Sequence, residues 1–205
     1  MKKYNESHIE VAVYQQAKDE NVYCGDSYFY VETKDRFFCA LADGLGSGKP
    51  AYESAQAAIE TIKSNLDCSI DEIIKKCSEQ LVGKRGVVLG IFILDYHTKQ
   101  YNFYSIGNIS MMSSVAGKRK KRHIPNAGYL AGYTRSYKVT NDILEDNMNI
   151  IIFSDGIEDH NVVKKSLICT NVQDITRAFE NKEKNDDATL IAIRYEEKEM
   201  LPNYL

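Results

Sequence analysis

The chain has 205 residues, of which 43% are hydrophobic and 27% are charged, which excludes disordered, collagen-like and coiled-coil proteins. A net charge of -3 provides no overall positive field for nucleic acid or an anionic membrane. Five scattered cysteines without a Cys-x-x-Cys pair indicate neither a disulfide framework nor a zinc site. Because no apolar run is long enough for a signal peptide or a membrane span, we expect a cytoplasmic protein.

The first elements along the chain are predicted to be strands. Residues 9–15 alternate between apolar and polar side chains, which predicts a half-buried strand. Residues 27–33 and 36–42 are rich in aromatic and β-branched side chains and are separated by Lys34 and Asp35. This arrangement predicts a β-hairpin.

Two helices are predicted next. Pro50 suits a first helical turn, and apolar side chains then recur at steps of three and four as far as Leu66. Ser69 and Glu72 have the spacing of a capping box, which predicts that a second helix begins there and extends to Leu81.

The second half of the chain combines apolar strands with one further helix, predicted at residues 172–182. Residues 87–94, 150–153 and 190–193 are apolar on both faces apart from Gly90, which is typical of strands covered on both sides. Because a pair of helices separates two blocks of strands, the order favours α+β layers over a repeating βαβ sheet.

Acidic residues stand at the ends of several predicted strands. In an antiparallel sheet, the end of one strand and the start of its neighbour share a rim, so these carboxylates could converge. Aspartate is also common in turns, and some of 29 acidic residues will flank strands by chance. Both interpretations stay open for Asp26, Asp43, Asp155, Asp186 and Asp187.

Two of these acids are followed directly by glycine, in Asp43-Gly44 and Asp155-Gly156. Turn formation explains either pair alone, whereas a metal site would use the carboxylate and the exposed glycine carbonyl as oxygen ligands. Such ligands select Mg²⁺ or Mn²⁺ rather than zinc or copper. The glycine-rich residues 43–50 have the spacing of neither a P-loop nor a dinucleotide fingerprint.

Five short segments together resemble the metal-dependent PP2C-type Ser/Thr phosphatases. They are Cys-Gly-Asp-Ser at 24–27, Ala-Asp-Gly-Leu-Gly-Ser-Gly at 42–48, Ser-Ile-Gly-Asn at 105–108, Ser-Asp-Gly at 154–156 and Asp-Asp-Ala-Thr at 186–189. The resemblance is strongest to the RsbX-like members of the bacterial branch that also includes SpoIIE and RsbU. It implies an α+β fold, a four-layer αββα sandwich of two antiparallel β-sheets flanked by helices. The phosphatase domain would span residues 9–195, with 1–8 as a lead and 196–205 as a tail.

The resemblance also implies hydrolysis of phosphoserine or phosphothreonine in proteins by a hydroxide that bridges two Mn²⁺ or Mg²⁺ ions. Asp43 would bridge both ions, and Asp155 and Asp186 would complete the first. The Gly44 carbonyl and Asp26 would serve the second ion. Asp43 and Asp155 would thereby hold the attacking water.

The implied partners are phosphorylated stressosome proteins similar to RsbS and RsbR. Their dephosphorylation would switch off the sigma-B stress response. The enzyme would act as a monomer, with neither nucleic acid nor a membrane as partner. Two alternatives are a degenerate module that binds phosphoprotein without turnover, and an RsbU-like or SpoIIE-like phosphatase of an anti-anti-sigma factor.

The chain departs from the eukaryotic branch of the family at several positions. Asn21 stands near the place of an arginine that binds the phosphate in that branch, and Gly25 stands in place of an acid. Leu45 replaces a histidine. Asn108 falls near the place of an acid that binds a third metal ion. The groups that bind the phosphate and protonate the leaving group are therefore unassigned. A shift by one residue would exchange Asp186 for Asp187 as the ligand.

Three further features have simpler explanations beside a functional one. Cys24 is expected to be structural, since no Cys-x5-Arg phosphate loop follows it. The basic residues 118–122 suit a hairpin tip or a contact with an acidic protein surface. Residues 126–133 predict either a loop over the site or a plain turn.

Overall fold

A computed structural model of the protein describes residues 7–18, 21–115, 121–158, 171–180 and 185–197. Their strands are β1 (Ile9–Gln16), β2 (Asp26–Glu32), β3 (Arg36–Gly44), β4 (Val87–Asp95), β5 (Gln100–Ile106), β6 (Ser110–Val115), β7 (Lys121–Arg122), β8 (Lys138–Ile143), β9 (Met148–Phe153) and β10 (Ala188–Tyr195). Their helices are α1 (Lys49–Lys63), α2 (Ile70–Gln80) and α3 (Val172–Arg177).

The strands form two antiparallel sheets. Sheet 1 has the order β1-β10-β9-β6-β7, and sheet 2 has the order β2-β3-β4-β5-β8. Sheet 2 is built mainly from strands that are consecutive in sequence, whereas sheet 1 pairs the first strand of the chain with the last.

Strand β3 shows why the predicted strands are apolar on both faces. Phe37, Cys39 and Leu41 belong to the core between the two sheets. The alternating residues Phe38 and Ala40 belong to a second core, which α1 and α2 complete on the outer face of sheet 2. Because side chains alternate along a strand, a strand in the middle of a layered fold needs apolar residues at every position.

Helix α3 packs in the same way on the outer face of sheet 1, where Val172 and Ile175 contact a core that includes Ile151 and Leu190. The two sheets and the flanking helices therefore form the αββα sandwich that the resemblance implied. Among the described residues, no helix is both long enough and apolar enough to cross a membrane.

The capping box of α2 is confirmed. The Ser69 hydroxyl accepts a hydrogen bond from the backbone N–H of Glu72, and the Glu72 carboxylate accepts one from the N–H of Ser69. Two N–H groups that a helix start leaves without partners are thus satisfied.

Three predictions for the fold need correction. Strand β1 makes apolar contacts on both faces, since Val13 packs against the core between the sheets and Tyr14 packs beneath α3, although Glu10 and Gln15 are exposed. Helix α3 ends at Arg177 rather than 182, because i→i−3 hydrogen bonds tighten the chain into a turn that keeps Phe179 buried. Helix α1 ends at Lys63, although the apolar pattern continues as far as Leu66.

Several predictions fall where the structure gives no description. The segments 1–6 and 198–205, which include most of the predicted lead and tail, lie outside the described residues. The same holds for residues 118–120 of the basic run and for 181–182 of the predicted third helix. Lys121 and Arg122, which complete the basic run, are exposed in β7.

Candidate metal centre

One rim of the sandwich collects the acidic strand ends of both sheets. In sheet 2, Asp26 at the start of β2 is the direct antiparallel partner of Asp43 near the end of β3. In sheet 1, Asp155 follows the end of β9, and Asp187 immediately precedes β10. The hydrogen-bond registers of the two sheets, not the local sequence, thus bring these carboxylates to one place.

The turn after Asp43 is packed tightly against the first helix. A Cβ atom on Gly44 would lie 2.0 Å from the backbone oxygen of Ala51 in α1, so only glycine fits there. The Gly44 N–H donates to the Gly25 carbonyl at 3.1 Å, and the Leu45 N–H donates to the Gly86 carbonyl at 3.0 Å. These bonds fix the backbone that carries the Asp43 side chain.

The carboxylates of the rim act strongly on one another. Burial and the charges of its acidic neighbours raise the pKa of Asp43 to about 9. A carboxyl group in such surroundings holds its proton at neutral pH unless positive charge is supplied to it. The neighbours that raise its pKa are Asp26, Asp155, Asp186 and Asp187.

Asp26 is the most deeply buried of the aspartates whose roles the resemblance implies, with 2% of its surface exposed. Burial raises its pKa to about 6, although hydrogen bonds from Ser154 and Thr189 oppose the shift. The Ser154 hydroxyl donates to Oδ2 at 2.7 Å, whereas the buried Oδ1 has no hydrogen-bond partner. An unsatisfied buried carboxylate oxygen is costly, and a cation is a partner that would satisfy it.

The two adjacent acids before β10 differ in their surroundings. Asp187 is 3% exposed, accepts the Lys18 N–H at Oδ1 (2.9 Å) and keeps a buried Oδ2 without a partner. Asp186 is exposed, and after burial its charge is the largest cause that raises the pKa of Asp155. Of the two, Asp186 is therefore the carboxylate open to solvent, and Asp187 is the buried one.

Asn108 is a site residue that the sequence did not identify as one. Its Nδ2 donates to Oδ2 of Asp155 at 2.8 Å, and this hydrogen bond lowers the pKa of Asp155 against the effect of burial. The signal available in the sequence was its position in the Ser-Ile-Gly-Asn segment. The resemblance marks the position only as the place of a missing acid.

Cys24 lies beside Asp26 but cannot act as a nucleophile in this setting. Burial, and then the charge of Asp26, raise the pKa of its thiol to about 12. A thiol in this environment stays protonated at neutral pH, and the reactive form is the thiolate. The structure thus supports the structural role expected for Cys24.

The segment 126–133 is attached to the same end of the molecule. The backbone N–H and carbonyl of Leu130 both bond to Val87, at 2.7 and 2.8 Å, where β4 begins. The predicted loop is thus anchored beside the rim. His160, five residues after Asp155, lies outside the described residues.

The donor set of the rim suits a hard divalent cation. All of its charged side chains named above are carboxylates, two of their buried oxygens have no partner, and oxygen ligands favour Mg²⁺ or Mn²⁺. Among the described residues, no three histidine, cysteine or acidic side chains are already gathered around one point as a metal site.

Comparison with known proteins shows similarity to phosphatases in sequence and in fold. No protein-family model matches the chain. The phosphoserine phosphatase RsbX of Bacillus subtilis (strain 168) is 28% identical over 186 residues, which cover 90% of this chain and 94% of RsbX. A crystal structure of RsbX in complex with magnesium has a TM-score of 0.85 at 28% identity, and the match covers 94% of this chain and 98% of that one.

A more distant structure shares the fold alone. The catalytic domain of the serine/threonine protein phosphatase PstP, in complex with two manganese ions, has a TM-score of 0.73 at 12% identity. The match covers 92% of this chain and 99% of that domain. The sandwich is therefore shared with proteins whose sequences have diverged widely.

Proposed function

Because the chain is RsbX-like in sequence and has the fold of the PP2C-type phosphatases, we propose that it is a metal-dependent protein phosphatase acting on phosphoserine or phosphothreonine. The observation that carries this proposal is the rim itself. Carboxylates from both sheets meet there, and one buried oxygen each of Asp26 and Asp187 has no hydrogen-bond partner among the described residues.

Each carboxylate has a proposed task. Asp43 would bind both ions, with Asp155 and Asp186 on one ion and Asp26 with the Gly44 carbonyl on the other. When bound, two Mn²⁺ or Mg²⁺ ions supply Lewis-acid activation of water and offset the negative charge of the phosphoryl oxygens.

Neighbouring side chains hold these carboxylates in position. Ser154 fixes one oxygen of Asp26, and Asn108 fixes one oxygen of Asp155. Asp43 and Asp155 would orient the attacking water toward phosphorus. No protein nucleophile is required, in agreement with the protonated thiol of Cys24.

We propose phosphorylated stressosome proteins similar to RsbS and RsbR as the substrates, so that the enzyme would limit a sigma-B type stress response. The similarity to RsbX over 90% of the chain supports this choice. A module that binds phosphoprotein without turnover would have lost ligands, whereas this rim keeps Asp26, Asp43, Asp155 and Asp186, the carboxylates that the resemblance implies as ligands. An RsbU-like or SpoIIE-like phosphatase would share the chemistry and differ in its substrate.

The test measures phosphate release from phosphorylated RsbS-like, RsbR-like and anti-anti-sigma proteins. The loss of phosphate from each protein is followed by its change in mass, in the presence of Mn²⁺, of Mg²⁺ or of EDTA. We expect metal-dependent loss of phosphate from the stressosome proteins, and its abolition in Asp43→Asn. Asp67→Asn is the matched control, because Asp67 is a fully exposed acid paired with Arg36 outside the rim. No release with either ion, or full activity in Asp43→Asn, would refute the proposal.

A further inference from the structure

Arg85 lies at the acidic rim although no motif of the sequence pointed to it. It precedes Gly86, whose carbonyl accepts the Leu45 N–H at 3.0 Å, and the next residue, Val87, is the strand partner of Gly44. The start of β4 thus brings an arginine beside the turn that follows Asp43.

The guanidinium group of Arg85 lies directly over that turn. A Cβ atom on Gly46 would be only 2.4 Å from Nη1, and Nη1 donates to the Leu45 carbonyl at 3.5 Å. Gly46 has a φ of +90°, a conformation that glycine adopts readily and other residues rarely. Glycine at this position therefore both forms the turn and leaves room for the guanidinium.

The charge of Arg85 is not used in a structural ion pair with any described residue. The side chain is exposed, and within the described part of the chain its one polar contact is the bond to Leu45. A hydrogen bond of 3.5 Å is weak, so the guanidinium can turn toward another acceptor at small cost. Asp43, whose antiparallel strand partner is Asp26, stands directly before the same turn.

We propose that Arg85 binds the phosphoryl group of the substrate, an inference that rests on the proposed phosphatase function. A guanidinium presents a planar fork of N–H donors that matches two phosphate oxygens. In this chain the phosphate-binding arginine is supplied by the start of β4, while Asn21 stands near the place where the eukaryotic branch carries one. Arg85 contacts the phosphoryl oxygens and takes no part in making or breaking bonds.

The enzymatic test compares Arg85→Ala, Arg85→Lys and Lys84→Ala. Loss of a charge-assisted pair of hydrogen bonds raises KM for the phosphoprotein, and the inhibition constant of inorganic phosphate, by roughly tenfold to a hundredfold. Arg85→Lys recovers part of this loss, since it keeps the charge without the fork. Lys84→Ala removes the same charge from the neighbouring exposed position and leaves both constants unchanged.

A binding measurement keeps this inference separate from the proposed function. Inorganic phosphate is titrated into Mg²⁺-loaded wild type and variants and followed by ³¹P NMR, with Mg²⁺ affinity and Tm measured alongside. If the wild type hydrolyses no phosphoprotein, the proposed function fails, and the phosphate titration still decides the role of Arg85. Selective loss of phosphate affinity in Arg85→Ala supports the inference. Equal affinities in Arg85→Ala and Lys84→Ala overturn it, as does a loss that merely parallels a fall in Mg²⁺ affinity or Tm.

Discussion

At the scale of single residues, Asp43 shows how a metal site costs stability when the metal is absent. Its usual pKa is near 3.8, and burial with the surrounding carboxylates raises it to about 9 in the folded protein. A raised pKa means that the folded state binds a proton more tightly than the unfolded state. The stability that this proton provides is complete below about pH 4 and is lost as the pH rises through 9.

We therefore expect the free energy of unfolding of the metal-free protein to fall between pH 6 and 9. In the Asp43→Asn variant we expect it to fall less. An amide of nearly the same shape carries no charge, so its folding free energy does not depend on this proton. Urea unfolding in EDTA at pH 6, 7, 8 and 9 measures the effect, with Asp67→Asn as the control of equal charge change. We expect Asp43→Asn to exceed the wild type by on the order of 1 kcal/mol or more at pH 9. Parallel pH profiles for the two proteins would contradict the placement of Asp43.

The residues of the rim differ in how far the sequence could identify them. Asp43 and Asp155 were visible because an Asp-Gly pair follows an apolar strand. Asn108 and Arg85 were not, since their contacts reach 47 residues along the chain to Asp155 and 40 residues to Leu45. Such contacts follow from the register of paired strands, which a local pattern does not contain.

At the scale of elements, the position of α1 against β3 shapes the rim. The helix backbone at Ala51 lies against Gly44, and Ala55 and Ala58 lie fully buried on the face that packs toward sheet 2. Small side chains on this face allow the helix to come close. The turn between β3 and α1 is thereby held next to Asp43.

We expect Gly44→Ala to destabilise the protein by about 3 kcal/mol or more, since its Cβ would meet a backbone oxygen that cannot move without the helix. Gly83→Ala is the matched control. Gly83 has a φ of +75° with no atom within 4 Å of its Cβ position, so alanine there costs only about 1–2 kcal/mol of backbone strain. Equilibrium urea unfolding followed by circular dichroism compares the two. Equal losses would mean that α1 does not press on the turn.

The elements that the sequence revealed are those with strong periodicity. The hairpin of β2 and β3, the capping box of α2 and the apolar strands β4, β9 and β10 all have clear local patterns. Strands β5 and β8 did not stand out. In β8 the apolar residues Val139 and Ile143 are 44% and 64% exposed, and the strand is recognisable only by its pairing with β5. Because an edge strand buries few of its side chains, its sequence lacks the apolar pattern that predicts a strand.

At the scale of the whole molecule, the rim joins the two sheets through their acids. Asp26 and Asp43 belong to sheet 2, and Asp155 and Asp186 are carried by sheet 1. A cation held by acids of both sheets would link the two layers of the sandwich. Metal binding should therefore stabilise the global fold rather than one loop.

Calorimetry with Mg²⁺ and with EDTA tests this link. At a concentration 100 times Kd, one site contributes about 2.7 kcal/mol, and about 1 kcal/mol shifts Tm by roughly 2–4 °C at this chain length. We expect saturating Mg²⁺ to raise Tm by at least about 5 °C. Mg²⁺ should raise the Tm of Asp155→Asn by less than this, and it should raise the Tm of Asp67→Asn by as much as that of the wild type. A Tm that is insensitive to Mg²⁺ would contradict the proposed centre.

The pairing of β1 with β10 also sets an order of events during synthesis. Strands β2 to β5 and both helices of sheet 2 are consecutive apart from their connections, so this half can form while translation continues. Strand β1 has only β10 as its neighbour in sheet 1, and it must wait for that strand to leave the ribosome. The same late segment carries Asp186 and Asp187. A nascent chain consequently exposes half of its layered core until the moment at which its acidic rim is completed.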